Sequence, residues 1–266
     1  MRDDRMTPRQ WASERLERLE DRLEDLSVNR IVPSALTLLG LCAGATSIRF
    51  ALVEDWRRAV AAIFCAMVFD MLDGRAARWL GADSRFGVQL DTLADLISFG
   101  LAPAVLVYTW SLSQMSDAGW IAALIFCACS ALRLARFNIQ AARDEGASQS
   151  HPYFTGLPTP AAACIMLLPL LLYFEFSTEI VRMPAISLVL IGITSVLMVS
   201  RVPTPSLKYF KLEHNGKVAA CILAAALIPA MIIVPWATLI LGLVIYLGII
   251  PFGIHAAAEA AAEERH

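Results

Sequence analysis

Asp70-Met71-Leu72-Asp73-Gly74-Arg75-Ala76-Ala77-Arg78 closes an apolar run that begins at Val60, and Gly87-Val88-Gln89-Leu90-Asp91-Thr92-Leu93-Ala94-Asp95 opens the next one. Four carboxylates where two consecutive hydrocarbon-length stretches meet are expensive near lipid, so each needs a cation or a water-filled cavity. The spacing predicts a helix on either side of the junction. Asp70 and Asp73 are three apart and Asp91 and Asp95 four apart, so each pair projects from one helical face. Two antiparallel helices can therefore converge all four acids, and the fold class expected is an all-α, polytopic membrane helical bundle.

The rest of the composition agrees. The chain has 266 residues, 58% hydrophobic and 17% charged, with a mean hydropathy of +0.60. With glycine counted and tyrosine left out, about 60% of it is apolar, against roughly 45–50% in soluble domains. That balance excludes a soluble enzyme. The net charge of -2 provides no basic field, which argues against a nucleic-acid partner. Cys42, Cys65, Cys127, Cys129, Cys164 and Cys221 all lie inside apolar runs as small hydrophobes, with no zinc-site or disulfide spacing. The first thirty residues carry seven arginines, eight acids and no apolar core, so no cleaved signal peptide is expected there.

Apolar stretches at 31–52, 60–80, 90–111, 118–134, 160–176, 184–200, 218–234 and 236–254 predict about eight transmembrane helices. An even number puts both termini on one side. That side receives 18 of the Lys and Arg residues, including Arg75, Arg78, Arg85, Arg133, Arg136, Arg143, Arg201, Lys208, Lys211 and Lys217. The other side receives three, Arg57, Arg58 and Arg182, while Arg49 near the outer end of the first span can snorkel outward. Retention of positive charge on the cytoplasmic side then predicts cytoplasmic termini and a protein integral to the cytoplasmic (plasma) membrane. Trp11, Leu16, Leu19, Leu23 and Leu26 recur at helical spacing among charges, the pattern of an N-terminal amphipathic interfacial helix or of a solvated helix packed on a partner. The expected organisation is a cytoplasmic segment 1–30, one membrane domain 31–255 and a cytoplasmic tail 256–266.

The acid cluster also predicts its ligands. Crowded carboxylates repel and hold protons unless divalent cations neutralise them, and an oxygen-only donor set favours magnesium or manganese over zinc. Gly74, Ala77 and Gly87 leave the cation-lined face open for a bulky group. Arg75, Arg78 and Arg85 add positive charge suited to phosphate oxygens. Metals and arginines beside carboxylates suggest a pyrophosphate substrate.

The pattern D-x-x-D-G-x-x-A-R, eight residues, G, three residues, D, three residues, D is filled at every fixed position from Asp70 to Asp95, and it resembles the signature of the CDP-alcohol phosphotransferases. The resemblance implies transfer of a substituted phosphate from a CDP-linked donor to an alcohol with release of CMP, two bound divalent cations and a homodimer. It makes Asp70, Asp73, Asp91 and Asp95 metal ligands, with Asp95 also the general base. It makes Gly74, Arg78 and Ser84 contacts of the CDP moiety, alongside Asp73, with Ala77 and Gly87 giving it room. Where the family often has Asn-x-x-Thr at the start of the first span, this chain reads Ser34-Ala35-Leu36-Thr37, so Ser34 and Thr37 join the expected donor site.

Three further stretches resemble the integral-membrane phosphatidylserine synthases of that family: Ser98-Phe99-Gly100-Leu101-Ala102-Pro103, Leu132-Arg133-Leu134-Ala135-Arg136-Phe137-Asn138 and Phe154-Thr155-Gly156-Leu157-Pro158. They imply CDP-diacylglycerol as donor and L-serine as acceptor, with membrane lipid around both donor and product. A serine carboxylate needs a cation, and Arg133 and Arg136, three apart on one face, can provide it. Ser98 and Asn138 complete the expected acceptor contacts. The bland alternative is that these arginines only anchor the span at the surface.

Two rival readings differ in kind. Glycerol 3-phosphate or an inositol phosphate as acceptor calls for a stronger basic pocket. A cation transporter with intramembrane acids is the other, but transporters often show paired repeats or broken midplane helices, and here the acids sit at helix ends without a repeat. His151, His214, His255 and His266 are scattered over loops and tail and read as loop residues. Pro103 is expected to kink the third span.

Overall fold

The computed structural model describes residues 28–81, 84–144, 153–200, 203–205, 229–230, 233–245 and 247–248. The expected amphipathic N-terminal helix, the tail after 255 and nearly all of the expected seventh span lie outside the described residues. What is described is a helical bundle with one very short antiparallel ladder.

The first helix, α1 (Val28–Leu52), turns sharply into α2 (Trp56–Leu80), whose N-cap Asp55 accepts the Arg58 backbone N–H at 3.3 Å. The two pack closely because Gly40 presents no side chain: a Cβ there would lie 3.3 Å from Phe69 Cβ. Gly81, at φ +58, ends α2 by sending its N–H to the Ala77 carbonyl, a left-handed cap that glycine adopts without strain. Ser84 then starts α3 (Arg85–Asp95), accepting the Gly87 N–H at 3.0 Å.

Directly after Asp95 the helix widens into a π-helical turn, Leu96–Leu101, before continuing as α4 (Ala102–Trp110). Pro103 accounts for it. Proline has no N–H to bond four residues back, and the ladder shifts so that Ala102 N–H reaches Ile97 O. The expected kink is therefore a π turn that leaves the helix continuous.

A short 3-10 turn, Leu112–Met115, leads to α5 (Asp117–Asp144). The sequence pattern suggested an end at 134, but the helix runs ten residues further. Hydropathy falls there while helical geometry persists, because Arg133, Arg136 and Asn138 bond to neighbouring elements. The chain re-enters through β1 (Tyr153–Thr155), α6 (Thr159–Phe176), a 3-10 turn Glu179–Arg182 and α7 (Pro184–Val199). β1 pairs antiparallel with β2 (Pro203–Pro205), an addition to the all-helical expectation. The last described helix, α8, covers Pro235–Ile245.

Among the described residues, four helical segments are long and apolar enough to cross a bilayer: Ile31–Leu52, Phe86–Trp110, Asp117–Ala141 and Thr159–Phe176. Pro184–Val199 and Pro235–Ile245 are apolar but shorter. α2 has the same 25-residue length as α1 but carries Arg57, Arg58, Asp70, Asp73, Arg75 and Arg78. Phe99, Trp110, Phe126, Ile63, Met166 and Leu170 fill the interior, whereas Leu39, Val68, Ile121, Ile125, Val189 and Val196 point outward, as a bundle solvated by hydrocarbon requires.

One end of the bundle collects the start of α1, the α2–α3 turn, the last turns of α5, the start of α6 and the end of α7. Side-chain bonds described below tie these together, and the acids lie among them.

Candidate active site

Asp70 and Asp73 come from α2, and Asp91 and Asp95 from α3. One carboxylate oxygen each from Asp70, Asp91 and Asp95 lies within 4.8 Å of the others. This is the spacing at which three acids can share a cation, and every donor is oxygen, which suits magnesium or manganese. Asp73 is not part of that triad, although all four acids line one narrow cavity of about 10 Å³ with Thr37, Gly40 and Ser98. That is room for about one water-sized species.

Asp73 is 5% exposed and turned toward α1, where Thr37 donates its hydroxyl hydrogen to Asp73 Oδ2 at 2.6 Å. It thereby joins the narrow acid cavity to a larger one beside it. The larger cavity, about 480 Å³, is lined by Ser34, Thr37, Asp73, Gly74, Ala77, Arg78, Ser84 and Gly87, all eight residues expected at the donor site. Asp91, Val88, Pro33 and Phe137 complete its wall.

The small residues in this cavity differ in what they do. A Cβ on Gly74 would meet nothing within 4 Å, so its missing side chain is open space. A Cβ on Gly87 would sit 3.1 Å from Ser84 Oγ, so Gly87 also keeps the helix cap tight. Because the Ser84 oxygen accepts the Gly87 N–H, its own hydrogen remains to donate into the cavity.

The expected acceptor residues are distributed unevenly. Ser98 is buried and donates to Gly40 O at 3.3 Å; a Cβ on Gly44 would collide with Ser98 Cα at 2.7 Å, so this residue seats the π turn against α1. Arg133 donates from Nη1 to the Thr159 hydroxyl and lies 5.8 Å over the Phe137 ring. Its stretch of α5 runs beside Asp95, between Ser130, 3.1 Å from where a Cβ on Gly100 would lie, and Asn138, bonded to Thr92. Arg136, by contrast, donates to Val199 O at 2.8 Å and caps the end of α7. The two arginines thus engage different helices. Asn138 donates to Thr92 Oγ1 at 2.7 Å, tying α5 to α3 one residue past Asp91.

Gly156, at φ +83, faces the end of α7 so closely that a Cβ would lie 2.9 Å from Met198 O and 3.0 Å from Ser200 O. The stretch before α6 is therefore docked on α7, which fixes where Thr159 begins the helix. Sequence reasoning missed Phe137, Thr159 and Thr92. Phe137 stood inside a quoted stretch and Thr159 just beyond another, but neither is an ionisable residue, and only their neighbours give them roles.

Residues 30–200 match the family model described as CDP-alcohol phosphatidyltransferase. A relative in Mycobacterium leprae (strain TN), named CDP-diacylglycerol--serine O-phosphatidyltransferase, is 37% identical over 228 residues, covering 85% of this chain and 75% of its own. A protein of the same name in Helicobacter pylori (strain ATCC 700392 / 26695) is 34% identical, with 73% of this chain and 78% of its own covered. Another in Bacillus subtilis (strain 168) is 33% identical over 69% of this chain and 94% of its own.

Proposed function

The chain belongs to the CDP-alcohol phosphatidyltransferase family, and on that premise we propose that it transfers the phosphatidyl group of CDP-diacylglycerol to the hydroxyl of L-serine, releasing CMP. The observation that carries the reading is the junction of the two cavities. A nucleotide-sized space bounded by Arg78, Ser84 and Thr37 meets the acid cluster at Asp73 and Asp91. The names of the relatives support serine as acceptor.

Asp70, Asp73, Asp91 and Asp95 would hold two divalent cations, magnesium or manganese, whose charge would offset that of the crowded carboxylates and of the donor pyrophosphate. Arg78 and the Ser84 hydroxyl bind and orient the donor phosphates, while Gly74, Ala77 and Gly87 keep the space for the nucleotide open. Asp95 takes the proton from the serine hydroxyl as that oxygen bonds to phosphorus and the phosphorus–oxygen bond to CMP breaks. Arg133 neutralises the serine carboxylate, while Ser98 seats the π turn against α1 and Arg136 and Asn138 hold α5 against α7 and α3 around it. Phosphatidylserine stays in the bilayer, its acyl chains leaving sideways between helices.

The site opens toward the cytoplasm, and both termini lie on that side of the plasma membrane. The strong clustering of Lys and Arg near the helix ends that flank the acids supports this orientation. The proposed organisation keeps eight spans in a membrane domain 31–255, an interfacial N-terminal helix within 1–30, a cytoplasmic tail 256–266 and a homodimer.

The test is CMP release by purified protein in detergent with CDP-diacylglycerol and magnesium or manganese. Serine, glycerol 3-phosphate and inositol phosphate are compared side by side. Release that depends on serine and metal is the expected result; release only with a phosphorylated alcohol overturns the acceptor, and no release with any of them overturns the activity.

A further inference from the structure

Arg133 is held from two sides. Its Nη1 donates to the Thr159 hydroxyl, and its guanidinium lies over the Phe137 ring at 5.8 Å. Thr159 is 0% exposed and occupies the first position of α6, where Pro158 makes no side-chain cap. A threonine hydroxyl can accept from the guanidinium in a fixed direction, and burial spares that bond competition from water. A free arginine head sweeps a large volume, and its entropy is lost again each time an acceptor must be met. A head already fixed by Thr159 and Phe137, on a stretch of α5 that runs beside Asp95, loses less. The start of α6 is itself fixed, because the preceding Gly156 is seated against the end of α7.

We infer that Thr159 is a positioning residue for the acceptor: its buried hydroxyl aims Arg133 at the place beside Asp95 where the carboxylate of the amino-acid substrate binds. The inference rests on the serine reading proposed above. It gives α6 a part in substrate choice through the hydroxyl at its first position. It also assigns Phe137 a double place, one ring serving as donor-cavity wall and as a rest for Arg133.

Thr159→Val keeps the shape and removes the acceptor oxygen. The expected result is an apparent KM for serine raised about tenfold, the loss of one hydrogen bond to a charged group. KM for CDP-diacylglycerol and kcat stay within about twofold. Thr159→Ser restores the serine KM. Combined with Arg133→Ala, Thr159→Val adds nothing further, since the group it aims is gone. Thr159→Ala removes the same hydroxyl without adding valine's second methyl group, and serine KM again rises about tenfold. This second variant keeps the test open if the valine variant fails to fold.

Equal changes in both KM values, or a lowered melting temperature with unchanged serine KM, would make Thr159 purely structural and overturn the inference. A raised serine KM in Arg133→Ala but not in Thr159→Val overturns the positioning role alone. Wild-type protein that releases CMP only with another acceptor overturns the serine reading beneath it.

Discussion

Thr37 on α1 and Asp73 on α2 are 36 positions apart in sequence and 2.6 Å apart in space, oxygen to oxygen. The bond closes the seam between the first two helices where the large cavity meets the small one. A carboxylate this buried loses water as a partner, and Thr37 replaces it. Thr37→Val should therefore lower activity roughly tenfold or more, with a higher metal concentration needed for half-maximal CMP release. A metal titration of the variant beside wild type reads this directly, and an unchanged requirement would separate Thr37 from the acid cluster.

Asp95→Asn keeps the side chain's size and removes its ability to take a proton. Transfer should fall by about 10²- to 10⁴-fold, the range that general-base catalysis supplies. Binding of CDP-diacylglycerol should persist, because Asp95 lines only the narrow cavity. The comparison to make is single-turnover CMP release against donor binding at equilibrium.

Chelation should abolish activity, and magnesium or manganese should restore it. Asp70→Asn or Asp91→Asn should raise the metal concentration needed, since each removes one charge from the three acids whose oxygens lie within 4.8 Å. Zinc should restore activity poorly, for want of nitrogen or sulfur donors. Full activity after exhaustive chelation would count against the metal reading.

Two glycines give opposite outcomes. A Cβ at Gly74 meets only open cavity in the middle of α2, so Gly74→Ala should stabilise the fold by about 0.5–1 kcal/mol while weakening donor binding. At Gly44 a Cβ runs into Ser98, including its Cα at 2.7 Å, so Gly44→Ala should destabilise by about 1–3 kcal/mol. Thermal unfolding of the two variants, with donor KM for Gly74→Ala, checks both signs.

The sequence by itself determined the class of molecule, because hydrocarbon leaves a chain this apolar little choice but helices that satisfy their own backbone. It also pointed to the convergence of the acids, through spacing along two adjacent helices that local geometry carries into space, and, through the family resemblance, to the donor residues. The eight residues expected at the donor site line one cavity. What sequence periodicity could not contain is how non-adjacent helices meet. The turning of Asp73 to Thr37, the parting of Arg133 and Arg136 toward different helices, and the clasp of Asn138 on Thr92 depend on contacts across 26 to 63 positions. The extension of α5 past 134 is of the same kind: polar residues that end a hydropathy run continue a helix when other elements supply their partners. Tertiary structure decided these points because a hydrogen bond is directional, and its direction is set only once both helices are in place.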